Sequence, residues 1–229
     1  MDLVKDSLVA LEVLVLSLYH VTAANENLYL QIEKAMTVLV PALQWHSTAP
    51  GRMSVIRIIT RMCDLCKDRA QQLITEKLIL NLLRVMKLIT SEPEVLGSCV
   101  TLLKLCASQA GDMTASVLIS HEEERKVLEE ILVTGGASGE LDDSRLEILL
   151  ILDVLGIEST QSTVAKGVPI LVKMAKSPAP TCREKVAYRL RKFVEAGHYF
   201  QGFELAGGIR ALVVLIFLTL KTYFIYLVP

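Results

Sequence analysis

Aromatic residues are scarce in this chain: they make up 5% of its 229 residues, with one tryptophan, although hydrophobic residues make up 52%. Leu, Ile, Val and Ala therefore supply the apolar mass, which suits packed helices better than an all-β fold. Neither sign of charge is in excess, since 24 basic and 25 acidic residues give a net charge of −1. This balance leaves no electrostatic footprint for nucleic acid, so nucleic acid is not predicted as a partner.

Motifs for catalysis are also missing. The four histidines are scattered, and no spacing typical of a nucleophile triad, an H-E-x-x-H metal site or a phosphate loop is present. The glycine-rich run at 134–139 lacks the lysine of a phosphate loop and is interpreted as a connection between helices. The sequence therefore predicts no enzyme, no catalytic residue and no cofactor.

The cysteines predict buried thiols rather than a metal site. The single C-x-x-C, Cys63 to Cys66, has no second ligand pair at zinc spacing. It lies on an apolar stripe that steps by three or four residues and is typical of a helix core. Zinc and redox activity are the alternatives to this interpretation. An odd total of five cysteines favours a reducing compartment, so we predict the cytoplasm, with the nucleus as the alternative. The stripe consists of Ile56, Ile59, Cys63, Cys66, Ala70 and Leu73.

Helix-breaking clusters recur along the chain, and the segments between them have helical periodicity. They occupy 46–51, 90–93, 134–139 and 177–181. They predict one domain over 1–229, built from about five helical units. The unit bounds are approximately 1–48, 49–90, 91–135, 136–177 and 178–229.

Shorter joints between helices are expected inside the units, about 41–45 residues apart. In the fourth unit, Asp142, Asp143 and Ser144 offer oxygens to cap a following helix. A helical period of about 40–47 residues is typical of armadillo and HEAT repeats. The joints are Glu33–Ala35, Thr75–Lys77, Ser120–Glu122, Lys166–Gly167 and Gly207–Gly208.

Two segments, Ala165–Met174 and Leu205–Leu215, place Gly167 and Gly208 between a helix and a new helix in the same way. Over roughly Ser159–Leu215 the chain resembles the armadillo family, whose last helix in each unit begins with such a glycine. The resemblance implies an all-α, armadillo-like α-α superhelix, that is, a right-handed helical repeat solenoid without a sheet. HEAT repeats, which lack the glycine, remain the alternative for the first half.

In armadillo proteins the last helix of each unit lines a concave groove that can hold an extended segment of a partner protein. The resemblance thus implies a partner-binding groove on polar stripes of these helices, with an ordinary solvated face as the alternative. The nuclear-import adaptors of the family use Trp-x-x-x-Asn, and the single Trp45 is followed at that spacing by Ala49, so this subtype is not indicated. The groove residues so predicted are Lys77, Asn81, Arg84, Lys87, Lys166, Lys173, Lys176 and Arg210.

The function predicted is a non-catalytic protein-binding scaffold or adaptor that holds an extended peptide. One alternative is the substrate-recognition or co-chaperone portion of a larger protein, such as a ubiquitin ligase or chaperone adaptor. An enzyme is the alternative from a different class.

The two ends of the chain carry apolar segments. Leu8–Leu18 predicts an amphipathic first helix rather than a signal peptide, because no positive leader precedes it. Ala211–Val228 contains one charge, Lys221. A piece of a longer array, a docking or dimerising tail and a membrane anchor are the three interpretations of this tail, with the membrane as the minor one.

Overall fold

The computed structural model describes residues 26–45, 49–66, 69–89, 92–133 and 141–175, with 186–188, 208–210, 212–213 and 216 near the C-terminus. Within these ranges the regular structure is helical and contains no strand, which confirms the predicted all-α class for the described residues. The longer helices are α1 (Glu26–Trp45), α2 (Ala49–Leu65), α3 (Ala70–Leu73), α4 (Glu76–Leu88), α5 (Pro93–Gln109), α6 (Gly111–Ser120), α7 (Glu122–Val133), α8 (Asp142–Val154) and α9 (Thr160–Ala175).

The predicted breaker clusters coincide with helix ends. α1 ends just before the first cluster, α4 just before the second, α7 just before the third and α9 just before the fourth. α5 begins with Pro93, whose missing N–H costs nothing at the first helical position. The joints predicted at Thr75–Lys77 and Ser120–Glu122 are confirmed, because α4 begins at Glu76 and α7 at Glu122.

α4 illustrates how the local sequence sets a helix. The backbone N–H of Leu78 donates to Oγ1 of Thr75 over 3.3 Å, so the threonine caps the helix start. Glu76 in the first turn and Lys87 in the last both complement the helix dipole. Its apolar side is buried at three- and four-residue steps, chiefly by Leu78, Ile79, Leu82, Leu83, Val85 and Met86.

In residues 26–133, helices that are three elements apart along the chain pack on each other. α1 packs on α4, and α4 packs on α7, while α2 packs on α5. α2 also packs on α1, and α5 and α6 pack on α4. α1, α4 and α7 are therefore successive neighbours, and α2 is a neighbour of α5.

Two predicted joints are wrong. Glu33–Ala35 lies inside the continuous helix α1, and Lys166–Gly167 lies inside the continuous helix α9. The buried positions keep their helical phase across both points; Glu33–Ala35 contains no helix breaker, and at Gly167 the burial outweighs the cost of the glycine. In α1 these positions are Ile32, Met36, Leu39 and Leu43, and in α9 they are Val164, Val168, Leu171 and Ala175.

α8 and α9 pack on each other and are joined by a glycine turn. Gly156 has φ +68°, the left-handed conformation that glycine adopts most readily. Its N–H donates to the carbonyl of Asp153 over 2.9 Å, and the N–H of Ile157 donates to the carbonyl of Leu152 over 2.9 Å. This pair of bonds is the Schellman motif that ends a helix. Ser159 then caps α9, because Oγ of Ser159 accepts from the N–H of Ser162 over 3.2 Å.

The chain divides into two compact units, 1–134 and 135–229. The division into five repeats over 1–229 stays a prediction. The N-terminal segment Leu8–Leu18 lies outside the described residues, as does most of the apolar tail after Ala211.

Candidate functional site

Three neighbouring helices, α1, α4 and α7, present one exposed face. Residues seven and eleven positions beyond a first-turn residue lie on the same side of an α-helix. In α4 and α7 these positions are exposed, and each α7 residue follows its α4 counterpart by 45 positions. Lys34 is exposed on the neighbouring helix α1. The layer face, as we name it, consists of Lys34, Lys77, Arg84, Leu88, Glu122, Glu129 and Val133.

Three of the four groove residues predicted on α4 are exposed. Lys77 and Lys87 form no ion pair with any residue of the described ranges. The side chain of Arg84 is 53% exposed, but its Nη2 lies 3.1 Å from Oε1 of Glu124 on α7. This bond holds the pKa of the Glu124 carboxyl below its usual value. The available positive charge of α4 is therefore carried by the two lysines.

Asn81, the fourth predicted groove residue on α4, is buried. Its Oδ1 accepts from Nε2 of Gln44 over 2.7 Å, and its Nδ2 donates to the carbonyl of Val40 over 3.1 Å. Both partners belong to α1. The Asn81 amide thus joins two stacked helices and offers less to a ligand than its position in the sequence suggests.

The starts of α4 and α7 are held together by a second polar contact. Nε2 of His121, just before α7, lies 3.0 Å from Oε1 of Glu76 at the first residue of α4. Lys77 and Glu122 are the next residues along the chain, so opposite exposed charges lie beside this contact on adjacent helices.

Several polar contacts between helices of the first unit join residues 37–45 positions apart. Arg52 on α2 and Glu92, just before α5, lie 2.7 Å apart and are separated by 40 residues. None of these pairs is predicted by the spacing of the helix joints. Complementary polar residues one period apart are the signal that could have found them. The other separations are 37 for Gln44–Asn81, 40 for Arg84–Glu124, 41 for Val40–Asn81, 43 for Tyr29–Gln72 and 45 for Glu76–His121.

In the second compact unit the predicted groove lysines have internal partners. Nζ of Lys166 donates to Oε2 of Glu158 over 2.7 Å, and this bond lowers the pKa of the Glu158 carboxyl. Nζ of Lys173 lies 3.1 Å from Oδ2 of Asp142. Arg210 is exposed within 208–210, and Lys176 lies outside the described residues.

Asp142 departs from its predicted role. The sequence predicts that Asp142, with Asp143 and Ser144, caps a helix, but α8 begins at Asp142 itself and its N-cap residue is Leu141. The Asp142 side chain is only 1% exposed and pairs with Arg145 over 2.9 Å as well as with Lys173. The carboxylate is therefore the centre of a charge cluster that joins α8 to α9, because a buried charge needs paired neighbours.

The predicted apolar stripe around the C-x-x-C is confirmed, since all six of its residues are buried. Burial raises the pKa of the Cys63 and Cys99 thiols to about 12 and raises that of Cys106 further. Burial also raises the pKa of the Cys66 thiol. Among the described residues, no group of three or more His, Cys, Asp or Glu side chains is placed to hold a metal ion.

Comparisons with known proteins identify no relative: no family model, curated protein or solved structure matches the chain. Within the part of the chain that the structure describes, every helix is too short or too polar to cross a bilayer.

Proposed function

We propose that this chain is a non-catalytic protein-binding scaffold that holds an extended segment of a partner protein on the layer face. The observation that carries the proposal is the register between α4 and α7. Three exposed positions recur 45 residues apart, and their side chains change from Lys, Arg and Leu to Glu, Glu and Val. A repeated frame with varied exposed residues is typical of solenoid proteins, which bind partners along such surfaces.

The same packing supports an armadillo-like arrangement as the finer description of the fold. Stacked corresponding helices, and polar contacts one period apart, are what such an array requires. The resemblance of Ser159–Leu215 to armadillo proteins adds the expectation that the last helix of each unit contacts the ligand. On this basis α4 and α7 are the last helices of the second and third units.

Two further features fit the proposal, and the first of them also fits a reducing compartment. The four described cysteines are free and buried. The layer face mixes charge with two exposed apolar side chains, Leu88 at 70% and Val133 at 85% exposure. Mixed polar and apolar character is usual for surfaces that bind proteins reversibly.

A peptide-display selection tests the proposal. Random twelve-residue peptides would be selected on the immobilised full chain, and the dissociation constants of the best binders measured by fluorescence anisotropy. We expect Lys77→Glu to weaken binding about threefold to tenfold, which corresponds to reversing one exposed charge contact.

Lys104→Glu is the matched control, because Lys104 is an exposed lysine on α5, away from the layer face. Circular dichroism would verify that both variants stay helical. A selection without binders, or equal weakening by the two variants, would contradict the proposal.

A further inference from the structure

The layer face carries charges of opposite sign on the neighbouring helices α4 and α7. On α4 the outward positions Lys77 and Arg84 are basic, whereas on α7 the corresponding Glu122 and Glu129 are acidic. A segment that crosses both helices therefore meets positive charge on one and negative charge on the next.

Internal ion pairs decide which of these charges a partner can use. Arg84 pairs with Glu124, and Glu129 lies 3.4 Å from Arg125. Lys77 and Glu122, by contrast, are exposed and form no ion pair within 4 Å among the described residues, although Glu123, and to a lesser extent Glu122, attracts Lys126 one turn later and raises its pKa. The usable charges are thus at the starts of α4 and α7.

The position of these two residues is fixed by their neighbours. Glu76 and His121 are joined over 3.0 Å, so the two helix starts are held side by side. Packed helices have axes about 8–10 Å apart. Lys77 and Glu122 are therefore separated by about one helix spacing.

An extended peptide matches this spacing. In the polyproline II conformation three residues advance about 9.3 Å, and residues i and i+3 point to the same side. A peptide that crosses the two helix starts would thus place side chains three positions apart over Lys77 and Glu122.

We propose that the bound segment carries an acidic residue opposite Lys77 and a basic residue three positions away opposite Glu122, in either chain direction. This inference rests on the proposed function and names the chemistry of its partner. Opposite charges at these sites favour the correct register and disfavour peptides of a single charge sign.

The residues further along the helices lie outside this contact. Leu88 and Val133 are eleven positions beyond Lys77 and Glu122, which corresponds to about 16 Å along each helix axis. Because Leu88 also belongs to the layer face, the matched control is Lys104→Glu, a charge reversal at an exposed residue of α5 outside that face.

The test is a charge-rescue selection with random twelve-residue peptides. On the wild-type chain we expect enrichment of Asp or Glu followed, or preceded, three positions away by Lys or Arg. On Lys77→Glu the enriched pair should become two basic residues, and on Glu122→Lys two acidic residues. Lys104→Glu should keep the wild-type preference.

The dissociation constants of one peptide from each class would confirm the switch. We expect each peptide to bind its matching protein about threefold to tenfold more tightly than the mismatched ones. Preference should shrink at 0.5 M salt, because exposed charges are then screened.

Each other outcome has a distinct meaning. Binders without the charge pair, or the same pair on all four proteins, would overturn this inference and leave the proposed function standing. A wild-type chain that selects no binders would overturn both. Light scattering that shows a wild-type dimer, lost in each reversed variant and restored on mixing them, would assign the charges to a second copy and overturn the peptide partner.

Discussion

Replacing Asn81 by alanine tests whether this residue is part of the helix stack or a free ligand group. The side chain is 5% exposed and exchanges two hydrogen bonds with α1, through Gln44 and the carbonyl of Val40. Two such bonds contribute about 1–3 kcal/mol together. Alanine regains about 0.5 kcal/mol through its higher helix propensity. We therefore expect Asn81→Ala to lower the free energy of unfolding by about 0.5–2.5 kcal/mol.

Urea denaturation of the full chain, followed by tryptophan fluorescence, measures this change. Trp45 is the single tryptophan and the last residue of α1, so it reports on the unit that contains the contact. Lys77→Ala is the control on the same helix, and we expect it to change stability by no more than about 0.5 kcal/mol.

A double-mutant cycle isolates the pair. With Gln44→Ala as the second change, a coupling energy of about 0.5–1.5 kcal/mol is expected for the Gln44–Asn81 bond. If Asn81→Ala is as stable as Lys77→Ala, the reasoning is refuted, and Asn81 returns to the set of groove residues that can bind a ligand.

Three further changes test the local structure. Gly156→Ala should lower the free energy of unfolding by about 1–2 kcal/mol in thermal denaturation. Gly156 has φ +68° and an added Cβ would meet no other atom within 4 Å, so the cost is backbone strain alone. An unchanged melting midpoint would contradict the left-handed conformation of this residue. In native-state alkylation at pH 8 followed by mass spectrometry, Cys66 should react before Cys63, because a thiol whose pKa is about 12 has about one thiolate in ten thousand; the reverse order would contradict the burial. Lys173→Glu should destabilise the second unit by about 1–3 kcal/mol in urea denaturation followed by circular dichroism, because it places a carboxylate beside the 1% exposed Asp142. Lys173→Met should cost less. Equal stability of the two variants would show that the Lys173–Asp142 ion pair does not stabilise this unit.

The helix boundaries were the most predictable part of the fold. Proline and glycine clusters limit helices for reasons that act within a few residues, so the ends of α1, α4, α7 and α9 followed from the sequence. A single glycine is a weaker signal, since it costs about 1 kcal/mol inside a helix. At Gly167 the continuous row of buried side chains in α9 outweighs that cost, and the predicted joint is absent.

The candidate site was only partly predictable, and Asn81 shows why. Spacing places Lys77, Asn81 and Arg84 on one side of α4, but Asn81 is turned by about 40° from Lys77 at 100° per residue. That rotation brings it under α1, where Gln44 and Val40 cover it. The position of a neighbouring helix depends on packing and cannot be read from the spacing within one helix.

The ion pairs of the second unit were missed for a related reason. Asp142 and Lys173 are 31 positions apart and meet because α8 and α9 fold back on each other at Gly156. The sequence predicts Lys173 as a groove residue and Asp142 as a helix cap. Their pairing follows from the turn, whose exact geometry the sequence did not specify.

At the starts of α4 and α7, the residues that join the two helices differ from the residues proposed to contact a partner. Glu76 and His121 form the contact between the helices, whereas Lys77 and Glu122, one residue later, are turned by about 100° and exposed. Because the two roles belong to adjacent residues, the outward charge can change sign between units without loss of the inter-helix contact. Under the proposed function, reversal of Lys77 or Glu122 should therefore change the partner preference while the helices stay packed.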